Sequence, residues 1–238
     1  MQEMSLRKRY QFILIFMAFI VHGIGIAFNV MILVPGFTEV RPVNAVPVPG
    51  GLMFGATAGL ACAFGNLAAD CFGQLMPSST LGFIGNFVAA YLPYRLWYIY
   101  RDEKPNVHSL RNLMLYVWLT FVSALSVNWI IGSGMWLIFG IWTETLNLYI
   151  FLNDFFFPLV FGLPVFIVMT SPMVNVRCTQ PKPGMFKLSG KRKIGCVRIY
   201  ALMLGIIFIM TQSGAPVMKP ALIALSVPCA ALSLVVLL

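Results

Sequence analysis

Seven residues of this 238-residue chain are acidic. Glu39, Asp70, Glu144 and Asp154 fall in or beside apolar stretches, where a carboxylate is costly to keep ionised and points to function. Asn66 and Asp70 stand four residues apart, so a helix puts them on one face together with Gly59 and Ala63. Asn86 follows among Gly82, Gly85 and Ala89, small residues that let helices approach closely. These three polar side chains either hydrogen-bond to one another and pin helix packing, or line the floor of a polar cavity that opens outward. Arg41, with Asn44 three residues on, offers a planar guanidinium suited to a carboxylate or phosphate. The same cation could instead pair with Glu39 or Glu144 at the surface. Trp142, Glu144, Asn147, Asn153 and Asp154 mix aromatic and polar chemistry in one segment. That mixture fits either a small amphipathic ligand or an interfacial belt.

This inventory binds; it does not make or break bonds. The chain has no GxxxxGK[ST] phosphate loop, no HExxH, no GxSxG and no His/Asp cluster at metal-ligand spacing. We therefore expect a non-enzyme with no cofactor and no metal. Cys62, Cys71, Cys178, Cys196 and Cys229 are scattered with no CxxC pair, which argues against a disulfide framework or a zinc site.

The elements that must hold these residues are membrane spans. The composition is 60% hydrophobic and 10% charged, with mean hydropathy +0.88. That excludes a soluble domain. At roughly 20 residues per span the chain has room for about six to eight. The first run, Phe12–Val34, is too long for a signal peptide core and reads as a span. Its Gly23 and Ala27 form a small-xxx-small pair, read either as internal packing or as a docking face for a second subunit. Pro35–Pro49 is too rich in proline for one regular helix. Gly50 to Gly73 is expected to split into a short span ending near Gly55 and a second over Ala56–Phe72. Leu81–Tyr100, Leu113–Ile131 and Phe155–Thr170 follow, with Gly132–Asn153 expected as a loop or interfacial stretch. Ile199–Val217 and Ala221–Leu238 close the chain as a hairpin.

The split is preferred because the cations then sort. Of sixteen Lys and Arg, fifteen lie in the N-terminal tail, at Arg95–Arg111, at Arg177–Arg198 or at Lys219. Positive charge marks the cytoplasmic side, and Arg41 is the exception. The net charge of +9 is expected to meet lipid headgroups of the bilayer, not nucleic acid. The expected organisation is an all-α polytopic membrane protein. Residues 1–172 form a membrane core with an outward-facing site, 173–198 a basic cytoplasmic loop, and 199–238 a hydrophobic helical hairpin.

The stretch Arg41-Pro42-Val43-Asn44-Ala45-Val46-Pro47, with Gly51-Leu52-Met53-Phe54-Gly55, Gly65-Asn66-Leu67-Ala68-Ala69-Asp70, Met76-Pro77-Ser78-Ser79 and Gly82-Phe83-Ile84-Gly85-Asn86-Phe87, resembles the substrate-binding membrane subunits (S components) of energy-coupling factor (ECF) transporters. The match covers roughly residues 12–100. The resemblance implies a six-helix core, here followed by an additional hairpin. It implies a vitamin or other micronutrient as small-molecule substrate, captured at the outer face of a prokaryotic cell membrane. Arg41, Asn44, Asn66, Asp70, Asn86, Trp142, Glu144 and Asn147 are the candidate binding residues. Delivery would follow tilting on a coupling transmembrane subunit driven by two ATPase subunits, with Gly23 and Ala27 at the docking helix. Two other classes compete: a non-transporting membrane sensor or scaffold, and a stand-alone secondary carrier.

Overall fold

The computed structural model describes residues 2–27, 32–34, 38–39, 41–72, 75–141, 144–174, 176, 178–179, 190–214 and 216–238. Its elements are α1 (Gln2–Ala27), a short antiparallel pair β1 (Ile32–Val34) and β2 (Thr38–Glu39), a 3-10 turn (Pro42–Ala45), α2 (Pro47–Phe54), α3 (Ala56–Asp70) and α4 (Ser79–Tyr100). Then come α5 (Leu110–Asn128), a π turn (Trp129–Ser133), α6 (Gly134–Phe139), α7 (Glu144–Phe157), a second π turn (Pro158–Gly162), α8 (Leu163–Thr170), α9 (Gly190–Ser213) and α10 (Lys219–Leu237).

Among the described residues, four helical stretches are long and apolar enough to cross a membrane: Leu110–Phe139, Thr145–Thr170, Gly190–Ser213 and Pro216–Leu237. The expectation of a multi-pass helical membrane protein holds at that level. The break in the Gly- and Ala-rich run falls at Gly55, whose φ of 59° is a backbone that glycine adopts without strain. All of α2 is buried. At eight residues it is about 12 Å long, less than half a bilayer core. Gly51 lets it press directly on the backbone of Ala90 in α4.

Packing follows the small residues. α3 lies between α1 and α4, with Gly65 against Phe19 and Gly23 against Ala69 and Phe72. α5 lies between α4 and α7. Pro93 inside α4 has no N–H to offer the carbonyl of Ala89. The Ser123 hydroxyl of α5 donates to that carbonyl at 3.1 Å. α9 packs on α4, α5 and α7, and α10 on α9 and α4. Tyr200 donates to Ser126 Oγ at 3.0 Å and Trp129 Nε1 to Ser226 Oγ at 3.1 Å, so the terminal hairpin is fastened to the bundle.

Three expectations need correction. Gly132–Asn153 is not a loop: α5 runs on through its π turn into α6, and α7 starts at Glu144. Trp136 and Asn147 are buried there. The first helix ends at Ala27 and not at Val34. Lys219 does not belong with the cytoplasmic cations. It stands 5.4 Å from the Trp136 ring, beside α6, at the end of the bundle opposite the basic segments.

The basic segments meet at the other end. Arg7 and Val176 line one groove. Cys178 feels both Lys104 and Arg7; its burial pushes the thiol up and those cations hold it down. Next to it, the Thr179 N–H donates to the Met53 carbonyl and Tyr98 donates to the Thr179 carbonyl. The Arg41 segment lies at the opposite end of the bundle from these cations.

Candidate functional site

Five segments converge at the end of the bundle away from the basic segments: the 3-10 turn after Arg41, the last turn of α3, the start of α4, the α5–α6 junction and the first turns of α7. Between them lies a cavity of about 80 Å³, room for several waters or the polar head of a larger molecule.

The polar part of the lining is hydrogen-bonded in three groups. Arg41 donates through its guanidinium to Asn66 Oδ1 at 2.5 Å. Asn66 Nδ2 donates to Asp70 Oδ2 at 3.3 Å, using the predicted i, i+4 spacing. Asn44 Nδ2 donates to Asp154 Oδ1 at 3.0 Å, and the Arg41 backbone N–H points at Asn153 Oδ1 at 3.4 Å. Asn86 Nδ2 donates to the Gly82 carbonyl one turn back at 2.9 Å. Gly82 itself is a clearance: a Cβ there would sit 2.9 Å from Asn66 Nδ2. Met76 and Ser78, on the turn before α4, form the rim. Asp70 and Asp154 are 7% and 9% exposed, so both carboxylates are withdrawn from bulk water. The rest of the lining is aliphatic: Val127, Ile131 and Met135, with Leu146 and Ile150.

The chain matches no protein-family model, no curated protein and no solved structure. What the cavity does must therefore be argued from its own chemistry.

Of the candidate residues, Arg41, Asn44, Asn66, Asp70 and Asn86 all line this cavity. Asn147 is buried nearby but outside its lining. Its carbonyl accepts from Asn128 Nδ2 at 2.6 Å, and its side chain fills the space that Gly132 leaves in the first π turn. Trp142 and the side chain of Glu144 lie outside the described residues, as does the side chain of Ala27. Gly23 packs inside the chain: a Cβ would meet Ala69 Cα at 2.8 Å. The residues the sequence did not single out are those of the aliphatic wall. Leu146, Ile150, Asn153 and Asp154 share one face of α7, a pattern that becomes visible only once that segment is read as helix.

The network places three ionisable groups in the cavity lining, one guanidinium and two carboxylates. With the amides they supply directional hydrogen bonds to a ligand, an arrangement suited to capture.

Proposed function

We propose that this chain is the substrate-capturing membrane subunit of an ECF-type importer. It would hold a vitamin or other micronutrient at the outer face of a prokaryotic cell membrane and deliver it by tilting on a coupling subunit. ATP hydrolysis belongs to two separate subunits. The observation that carries the reading is the cavity, lined by hydrogen-bonded polar side chains and by aliphatic ones, at the end of the bundle away from the basic segments. The segments on which the resemblance rests surround it, with Arg41 and Asn44 before the short second helix, Asn66 and Asp70 ending the third, and Asn86 on the fourth. The hairpin α9–α10 packs on α4, α5 and α7, while α1 packs on α3, so the addition does not cover α1. The membrane-facing side of α1 carries Leu14, Met17, Val21 and Ile24, all exposed. A coupling subunit docking on α1 would meet that stripe, because Gly23 is already occupied by α3.

The test is ligand binding by the purified chain without ATP. Thermal-shift screening against vitamins, nucleobases, queuosine precursors and tetrapyrroles is expected to give at least one strong stabiliser; a ligand at a hundred times its Kd adds about 2.7 kcal/mol. Folded protein with no response across the panel counts against the reading. Purification from the host is expected to bring down a coupling subunit and paired ATPases.

One observation favours a second reading. Two carboxylates buried among apolar helices, Asp70 and Asp154, are the kind of group that proton-coupled carriers use. Gradient-driven uptake by proteoliposomes holding this chain alone would decide for the carrier.

A further inference from the structure

At the end of the bundle away from the cavity, a groove opens beside the first turns of α1. Leu6, Arg7, Tyr10 and Gln11 of α1 line it with Phe54, the last residue of α2, and Val176. Its volume is about 410 Å³, that of an ordinary small-molecule site. Its lining holds a cation and no acid among the described residues. The order of polarity along it is specific. Arg7 precedes the apolar run that begins at Phe12. Tyr10 follows Arg7 by most of a turn, and Leu14 follows Tyr10 by one turn more, both exposed. A cation with an apolar wall one to two turns deeper has the layout of a phospholipid, phosphate outermost and acyl chain below. Cations that flank an apolar run lie at the headgroup level of a bilayer.

A second cation reaches the groove from a distant part of the chain. The Cys178 thiol donates to the Val176 carbonyl at 3.7 Å, and Cys178 lies in the field of both Lys104 and Arg7. This corner is held in place: the Thr179 N–H donates to the Met53 carbonyl at 2.8 Å, and Tyr98 donates to the Thr179 carbonyl at 3.4 Å. Two acids stand beside Lys104 in the chain. Asp102 is exposed, and the Glu103 carboxylate accepts from Asn112 Nδ2 at 2.7 Å. The wider field favours an anion. The N-terminal tail and the segments Arg95–Arg111 and Arg177–Arg198 hold fourteen Lys and Arg against three acids, and such an excess draws anionic lipid.

We infer that this groove is a binding site for an anionic phospholipid, with the headgroup phosphate at Arg7 and Lys104 and an acyl chain along Tyr10, Phe54 and Val176. The site lies apart from the cavity and does not depend on what the cavity holds. It differs from the general attraction of a basic surface for a bilayer, because two named cations and an apolar floor meet at one place.

Matched lipids test this. Phosphatidylglycerol and phosphatidylcholine with identical chains are titrated into the purified full chain in detergent, read by thermal shift and by native mass spectrometry of retained lipid. Phosphatidylglycerol is expected to bind about thirtyfold tighter, the weight of two cations near an anionic headgroup. Arg7→Gln with Lys104→Gln, checked for an intact unfolding transition without added lipid, is expected to remove most of that preference. Lys191→Gln with Arg192→Gln takes the same charge from the start of α9, which packs on α4, α5 and α7, and is expected to leave it. Equal losses from the two pairs would mean diffuse attraction and overturn the site. So would equal binding of the two lipids by folded protein. Glycerophosphoglycerol, the headgroup without tails, and poly-glutamate are expected to stabilise far less than the whole lipid. If either matches it, the groove takes a soluble anion or an acidic polypeptide, and the inference falls.

Discussion

Arg41, at the head of the 3-10 turn, and Asn66, near the end of α3, are joined by a 2.5 Å hydrogen bond across the cavity end of the bundle. Asn66 extends the contact to Asp70 at 3.3 Å, so a loop residue and a helix end are held as one wall. Arg41→Gln removes the cation that the two carboxylates of the cavity face. It is expected to destabilise the protein by about 2 kcal/mol, in the range for one lost partner of a partly buried charged network. Adding Asp154→Asn is expected to restore part of that loss. A double-mutant cycle on unfolding in detergent measures the coupling; strict additivity would mean the two residues do not communicate.

Ser123→Ala is expected to cost about 1–3 kcal/mol, because it leaves the buried Ala89 carbonyl with neither a helical N–H nor a hydroxyl. Adding Pro93→Ala returns a main-chain N–H to α4 and is expected to recover most of the loss. The pair of unfolding midpoints, single against double variant, reads this directly.

Glycines separate contact from helix propensity. At Gly51 a Cβ would be driven into the Ala90 carbonyl, while at Gly205 in α9 it would meet nothing within 4 Å. Gly51→Ala is expected to lose more than about 3 kcal/mol or fail to give monodisperse protein, since two backbones must part. Gly205→Ala is expected to be neutral or to gain up to about 1 kcal/mol from lower chain entropy in the unfolded state. Gel filtration and thermal melts distinguish the two.

Two thiols report orientation. Cys71 is exposed after α3, at the cavity end. Cys178 lies at the basic end. An impermeant maleimide on intact cells is expected to label Cys71, and Cys178 only after permeabilisation; the opposite pattern would turn the cavity toward the cytoplasm. Burial raises the Cys178 thiol above the ordinary cysteine range. Maleimide needs the thiolate, so labelling of Cys178 in permeabilised cells is expected to be slow at neutral pH and to speed up as pH climbs past the ordinary thiol range.

Sequence pattern carried the site further than it carried the architecture around it. The four-residue step from Asn66 to Asp70 and the isolation of Arg41 among the cations both led to the cavity, because spacing and charge are local properties of a chain. The break at Gly55 was legible through charge sorting. The α5–α7 region was not. Trp136, Tyr149 and the polar residues between them look interfacial by composition, yet the π turn at Trp129–Ser133 keeps the helix going, and no residue type announces a π turn. With that stretch taken for a loop, the aliphatic wall could not be seen. Lys219 was misplaced for a similar reason: one charge between two apolar runs is compatible with either side, and only its seat over Trp136 settles it. Gly23 shows that a small-residue pair identifies close packing without identifying the partner.

The gap that Pro93 leaves in α4 bears on how the chain is made. As α4 leaves the ribosome and meets lipid, the Ala89 carbonyl has no donor within its own helix, and hydrocarbon supplies none. The donor arrives with Ser123, on the helix synthesised next. The short loop from Arg101 to Ser109 is tied together by Asn112, which donates to Glu103 at 2.7 Å and Asn106 at 2.9 Å and accepts from Arg101 at 3.1 Å. α4 and α5 therefore form the natural unit of insertion, a hairpin that enters the bilayer as a pair before the cavity they help to wall exists.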